Sequence, residues 1–261
     1  MHEITFWRLS IMKKIIALAL ALTMVLAFAA CSKAPAQGET KTLVMGTNAA
    51  FPPYEFVNDD GSFGGIDVDI AKAIADKLGM KLEIKDMEFD SLISAIEGGA
   101  IDVALAGMTV TDERKESVNF SESYAKGVQS IIVLEGSDIA TADDLSSDIK
   151  IGVQAGTTGD IYCTDDFGED AVKQYKNGAL AVEALKNGQV DCVVIDNEPA
   201  KSYVAANEGL VILDTAYAEE DYAIAIGKTN DELLNKINDA LAELKADGTL
   251  DKIVATYINA D

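Results

Sequence analysis

The sequence predicts an α/β protein whose parallel sheets carry helices on both faces, and three observations lead there. Apolar, strand-like segments alternate with amphipathic, helix-like ones from Thr42 to Ala104, the order that builds parallel sheets. The same alternation starts again after Tyr124. The chain has 261 residues, 49% of them hydrophobic, enough for one large domain or two of ordinary size with real cores.

The fold begins only after an N-terminal leader. Lys13 and Lys14 precede an apolar run from Ile15 to Ala30, broken only by Thr23. That run is shorter than the roughly 20 residues a membrane-spanning helix needs, so residues 1–30 read as an export signal. It ends in Leu26-Ala27-Phe28-Ala29-Ala30-Cys31, which resembles the bacterial lipoprotein cleavage box, where the cysteine becomes the lipidated first residue. Phe28 departs from that box, which has an aliphatic residue there. Met12 is a second candidate start. Residues 31–41 are polar, with Pro35 and Gly38, and read as a tether.

Thr42 to Thr47 reads as the first strand and runs into Asn48-Ala49-Ala50-Phe51-Pro52-Pro53-Tyr54-Glu55-Phe56. Two prolines exclude regular structure there and stiffen the loop, so its aromatic rings are presented. Asn58-Asp59-Asp60-Gly61 is a turn. Gly65 to Ile70 leads into a helix with Val68, Ala71, Ile74, Ala75 and Leu78 on one face, stopped by Gly79. Lys81 to Asp86 alternates like a strand, Phe89 to Ile96 reads as a helix, and Ile101 to Ala104 as a buried strand.

Leu105-Ala106-Gly107-Met108-Thr109-Val110-Thr111-Asp112-Glu113-Arg114 follows, before Lys115-Glu116-Ser117, which can open a helix. Gly107 allows close backbone approach, Thr109 offers an N–H and a hydroxyl, and Arg114 offers a planar charged fork that matches a carboxylate. Two readings stand for this stretch alone: an anion-holding segment, or a strand, a turn and a surface arginine.

In the second half, Gln129 to Leu134 and Lys150 to Val153 read as strands. The small-residue loop Gln154-Ala155-Gly156-Thr157-Thr158-Gly159 precedes a helical segment. It reads either as an anion-binding helix N-terminus or as a glycine-permitted turn. Ala179 to Asn187 is helical, Val190 to Ile195 is a buried strand, and Asp196 stands at its exit as either a cleft carboxylate or a helix cap before Pro199. Leu210 to Leu213 and Tyr222 to Ile226 are short strands. Asn230 to Ala246 carries an apolar stripe, and Leu250 to Tyr257 is a last short helix. Parallel sheets bind ligands at the carboxyl ends of their strands, where Asn48, Phe51, Phe89 and Gly107 fall.

Composition removes several function classes. The formal charge is -23, which repels phosphate backbones and argues against nucleic acid. The single histidine, His2, lies in the leader, so histidine-based nucleophilic catalysis and zinc sites are excluded from the mature chain. Cys163 and Cys192 lack Cys-x-x-Cys spacing and stand beside apolar residues, so they read as buried thiols or as an exported disulfide. No cofactor and no metal site is expected.

Three separated motifs resemble one family, the amino-acid-type (family 3) extracellular solute-binding proteins of bacterial ABC importers. They are Gly65-Ile66-Asp67-Val68-Asp69-Ile70 with Ile74, Ala75 and Leu78; Ala106 to Arg114; and Asn119-Phe120-Ser121. The resemblance covers Thr42 to Ile258. It implies a two-lobed, periplasmic-binding-protein-like (type II) fold, with lobe 1 as residues 42–123 and 223–261, lobe 2 as 128–218, and hinges at 124–127 and 219–222. Carried over position by position, Arg114 grips the ligand α-carboxylate with Thr109 and the backbone near Thr158 and Thr157. Asp196, the Gly107 carbonyl and the Thr109 hydroxyl hold the α-ammonium. Phe51 and Phe89 sandwich the ligand side chain, Ala106 lines the same wall, and Tyr54 lies at the edge.

The resemblance also marks departures. Asn48 replaces an acidic residue usual in binders of glutamine or basic amino acids, while Gln154 and Ile195 replace the lysine and histidine of glutamine binders. The less charged pocket favours a neutral or polar amino acid, although Asn48 with Gln154 can still hydrogen-bond a cationic side chain. The implied partners are a free amino acid and a membrane permease with its ATPase, with the chain itself a monomer. Two rivals remain: an acid-using enzyme similar to cyclohexadienyl dehydratase, with Asp196 or Asp67 as candidate acid, and a sensor domain for a separate signalling partner.

Overall fold

A computed structural model describes residues 40–258. The export signal, Cys31, most of the tether and residues 259–261 lie outside the described residues. The folded unit contains two larger sheets and a small one.

In the first sheet, β1 (Thr42–Thr47) pairs in parallel with β5 (Lys81–Asp86) and with β6 (Val103–Ala104). The helix α1 (Ile66–Lys77) links β1 to β5, burying Val68, Ala71, Ile74 and Ala75 as the 3.6-residue spacing requires. Between β1 and α1, β2 (Ala50–Phe51), β3 (Glu55–Val57) and β4 (Phe63–Gly64) form a small antiparallel sheet. The prolines therefore sit in a hairpin turn flanked by paired strands rather than in an irregular loop.

Phe89 to Ile96, expected as one helix, divides into a 3-10 turn (Phe89–Ser91) and α2 (Leu92–Glu97). The helix expected to open at Lys115 instead ends two residues later. It is α3 (Asp112–Ser117), and the Thr111 hydroxyl caps it by accepting from the Arg114 N–H at 3.1 Å. It leads into β7 (Val118–Phe120).

The chain then leaves the first sheet through β8 (Ala125–Leu134), the longest strand. In the second sheet, β9 (Ile151–Gln154) lies parallel between β10 (Val172–Tyr175) and β11 (Cys192–Asp196), connected by α4 (Thr158–Phe167) and α5 (Gly178–Lys186). After α6 (Asn197–Ala206), β12 (Leu210–Ile212) pairs antiparallel with β8. The return passes through β13 (Ala218–Tyr222) to β14 (Ala225–Gly227), α7 (Asp231–Ala246) and α8 (Thr249–Tyr257).

Neither sheet is wholly parallel, which corrects the sequence expectation. β14 runs antiparallel to β6 and β7, and β8 runs antiparallel to β11. A chain that crosses to a second sheet and comes back must enter as an opposed strand, since no crossover helix turns it round. β13 and β8 lie side by side from Ala125↔Tyr222 to Gln129↔Ala218, so both connections travel as one two-stranded ribbon. Cys163 and Cys192 are buried and unpaired, and burial pushes each thiol up to about 12.

Candidate functional site

The carboxyl ends of β1, β6, β9 and β11 meet at one cleft, together with the β2–β3 hairpin and the Phe89 turn. All eleven candidate ligand contacts line it: Asn48, Phe51, Phe89, Ala106, Gly107, Thr109, Arg114, Gln154, Thr157, Thr158 and Asp196. The space between atoms is about 300 Å³, its open mouth included. Glu55 is the one further lining residue. Tyr54 stands behind the lining and meets Tyr222 edge to face at 5.2 Å.

Arg114 is the cation of this cleft. It is buried, and burial lowers its pKa. Its Nη1 donates to the Thr109 carbonyl at 2.7 Å and its Nη2 to the Gly156 carbonyl at 2.9 Å, while the guanidinium lies 5.3 Å from the Phe89 ring centroid. The fork is thus held over a ring by neutral acceptors, and its charge is left for an anion. Gly156 lies at the start of α4, where the Thr157 hydroxyl caps the helix by accepting from the Asp160 N–H. The N–H groups at that helix start add positive potential on the side of Arg114.

Asp196 occupies the N-cap position of α6 but makes no capping hydrogen bond. Its Oδ1 accepts instead from the Tyr222 hydroxyl. Burial raises its pKa to about 7, the Tyr222 hydrogen bond lowers it, and Glu220 raises it. Glu220 is buried on β13, and its Oε2 accepts from Thr109 Oγ1 and from Gln129 Nε2, each at 3.0 Å. Thr109 therefore spends its single hydroxyl proton on Glu220 and offers only lone pairs elsewhere, which suits an ammonium.

Two amides close the side-chain end, and their orientations follow from one another. The Met87 carbonyl accepts at 2.8 Å, so Asn48 must present Nδ2 there. Asn48 Oδ1 then faces the second sheet and accepts from Gln154 Nε2 at 2.9 Å. Gln154 Oε1 is left buried without a partner. An orphaned acceptor costs about 1–3 kcal/mol until a donor reaches it.

Contacts that cross between the sheets around this cleft include Asn48 with Gln154, Arg114 with Gly156, Thr109 with Glu220 and Thr158, and the Tyr203 hydroxyl donating to the Ala50 carbonyl at 2.7 Å. Glu55, Gln129, Glu220 and Tyr222 were missed in the sequence. Glu220 lies in Glu219-Glu220-Asp221, an acidic run that reads as a solvated face. Glu55 carried a readable signal, a carboxyl enclosed between Tyr54 and Phe56. Among the described residues no cluster of His, Cys, Asp and Glu has the arrangement of a metal site. No helix there is long and apolar enough to cross a membrane.

Comparison with known proteins adds independent weight. The sequence profile described as bacterial extracellular solute-binding proteins, family 3, matches residues 43–260. A probable histidine-binding protein of Neisseria gonorrhoeae is 35% identical, covering 94% of this chain and 96% of the relative. An arginine-binding extracellular protein of Bacillus subtilis is 34% identical, covering 96% of this chain and 100% of the relative. An ancestral arginine-binding protein, solved with glutamine bound, superimposes with a TM-score of 0.80 at 45% identity, covering 84% of this chain and 98% of that one.

Proposed function

The chain belongs to the family 3 bacterial extracellular solute-binding proteins, and from that premise we propose that it captures one free amino acid and delivers it to an ABC permease with its ATPase. The observation that carries this reading is the pairing of Arg114 with the opposed carboxylate Asp196 in one cleft. A zwitterion leaves water at great cost unless each charge meets a fixed, hydrogen-bonded partner of opposite sign. Arg114 with the α4 N-terminus takes the α-carboxylate. Asp196 with the Thr109 hydroxyl takes the α-ammonium.

Phe51 and Phe89 cover the ligand side chain and exclude water. At its end stand Asn48 and Gln154, whose unpartnered Oε1 favours a ligand carrying an N–H or O–H donor. A terminal amide or guanidinium fits this requirement, in keeping with the glutamine and arginine named for similar proteins.

The lobes are residues 42–123 with 223–261 and residues 128–218, and the hinges are 124–127 and 219–222. Their placement in the β8–β13 ribbon supports this division. A ligand touching both lobes binds the closed form better and shifts the population toward it, so closure reports the loaded state to the permease. The mature chain is a monomer, anchored by a lipid on Cys31 to the outer face of the cell membrane. It makes and breaks no bond in its ligand.

Thermal unfolding of ligand-stripped protein against the free amino acids tests the reading. A cognate ligand at about 100 times its Kd adds about 2.7 kcal/mol of stability. No stabilising amino acid in the whole set would sink it, and turnover of prephenate or arogenate would install the dehydratase rival.

A further inference from the structure

At the cleft floor, Glu55 and Asp67 bring two carboxyl groups together with no cation between them. Glu55 is 1% exposed and Asp67 fully buried, and their side chains stand within hydrogen-bonding reach. Both Glu55 carboxyl oxygens and Asp67 Oδ1 lack any N–H or O–H partner among the described residues. Asp67 Oδ2 is fully engaged, accepting from the Gly107 N–H and the Tyr124 hydroxyl, each at 2.8 Å. Two ionised carboxylates repel each other in such a space, and one proton between them removes that repulsion and partners Asp67 Oδ1 with one Glu55 oxygen.

We propose that Glu55 and Asp67 form a carboxylic acid–carboxylate pair that holds one proton at the cleft floor and positions the Ala106–Gly107 peptide. Glu55 donates to Asp67 Oδ1, and Asp67 Oδ2 ties together the cleft loop at Gly107 and the hinge-strand entry at Tyr124. Gly107 has φ +54°, and a Cβ there would lie 2.9 Å from Phe51. Its turn is therefore tight, and the Asp67 bond fixes the plane of the Ala106–Gly107 peptide within it. The Asp67 N–H also donates to the Tyr54 carbonyl at 2.9 Å, so one residue braces the hairpin, the cleft loop and the start of the ribbon. Asp67 is a positioning residue, since it does not line the cleft.

The surroundings keep the proton in place. Burial pushes the Glu55 carboxyl well above its usual range and Asp67 to about 6. The titratable groups acting on Glu55 are Asp67, Asp196 and Asp86, with Tyr54, Tyr124 and Tyr203 around it, and none is a cation. For an acid raised in the folded state, the native chain keeps a proton that the unfolded chain releases. Its stabilising contribution is therefore full below the unfolded pKa and is lost as pH rises towards the folded one.

The test compares the wild type with Glu55→Gln, which is permanently neutral yet still offers an N–H to Asp67. In ligand-stripped wild type at pH 8, where Asp196 is largely ionised, infrared spectroscopy should show the carbonyl stretch of a buried carboxylic acid, and Glu55→Gln should remove it. The urea midpoint of the wild type should fall relative to that of Glu55→Gln as pH rises from 5 to 8. Tyr124→Phe, which keeps the ring, should weaken amino-acid affinity several-fold while leaving the infrared band. An absent band, or parallel midpoints, overturns the proton. Unchanged affinity in Tyr124→Phe overturns the positioning role. The affinity arm rests on the amino-acid reading and the other two do not, so failure of that reading is separately visible.

Discussion

If Asp196 receives the ligand ammonium it must be ionised, and its pKa in the ligand-free cleft lies at about 7. Binding then requires the removal of one proton whenever the pH is below that value. The apparent Kd should be nearly constant between pH 7.5 and 8, and should rise about tenfold for each pH unit below 7. At pH 5.5 the weakening reaches about 30-fold, or roughly 2 kcal/mol. The ligand α-carboxylate and α-ammonium keep their charges throughout that range, so the slope belongs to the protein. Calorimetry in two buffers of different ionisation enthalpy, on protein stripped of ligand, would read both Kd and the proton released on binding. Asp196→Asn should bind far more weakly at pH 8 and lose most of the pH slope. An affinity independent of pH from 8 to 5.5 in the wild type, or a normal slope in Asp196→Asn, would refute the assignment of the ammonium to Asp196.

Other residues predict separable effects. Arg114→Ala should weaken every amino-acid ligand by about 2–5 kcal/mol, because it leaves the shared α-carboxylate buried without its partner; equilibrium dialysis showing unchanged affinity rules the role out. Gln154→Leu keeps the volume but removes the orphan acceptor. It should cost the preferred ligand about 1–3 kcal/mol while leaving alanine nearly unaffected, and equal losses for both would remove Gln154 from specificity. Gly65 has φ +120°, and a Cβ there would lie 2.2 Å from the Tyr54 carbonyl oxygen. Gly65→Ala should therefore lower stability by roughly 3–5 kcal/mol in urea, and a loss below about 1 kcal/mol would contradict the described turn.

Legibility in the sequence followed the length scale of the signal. Thr42–Thr47 and Lys81–Asp86 were readable because their patterns are local and uninterrupted. Val172–Tyr175 was not, because an edge strand with Lys173 and Gln174 exposed carries little apolar signal. The segment around Arg114 was readable as a candidate, yet its helix was placed three residues late. The Thr111 cap starts the helix ahead of the opening expected at Lys115-Glu116-Ser117, and the hydroxyl bond to the Arg114 N–H settles it.

What the sequence determined by itself was the list of parts: alternating strands and helices, a cation at Arg114, a carboxylate at Asp196, two rings and two amides. Local periodicity and motif spacing encode these, since each depends on residues near one another in the chain. Only tertiary structure decided how the parts are paired. Asn48 and Gln154 lie 106 residues apart, and Thr109 and Glu220 lie 111 apart, and no local pattern states which amide faces which, or which hydroxyl proton is already spent. The same holds for Glu55 and Asp67. Neither residue's local sequence names the other as its partner, and only burial together, with no cation in reach, makes the pair a place to hold a proton.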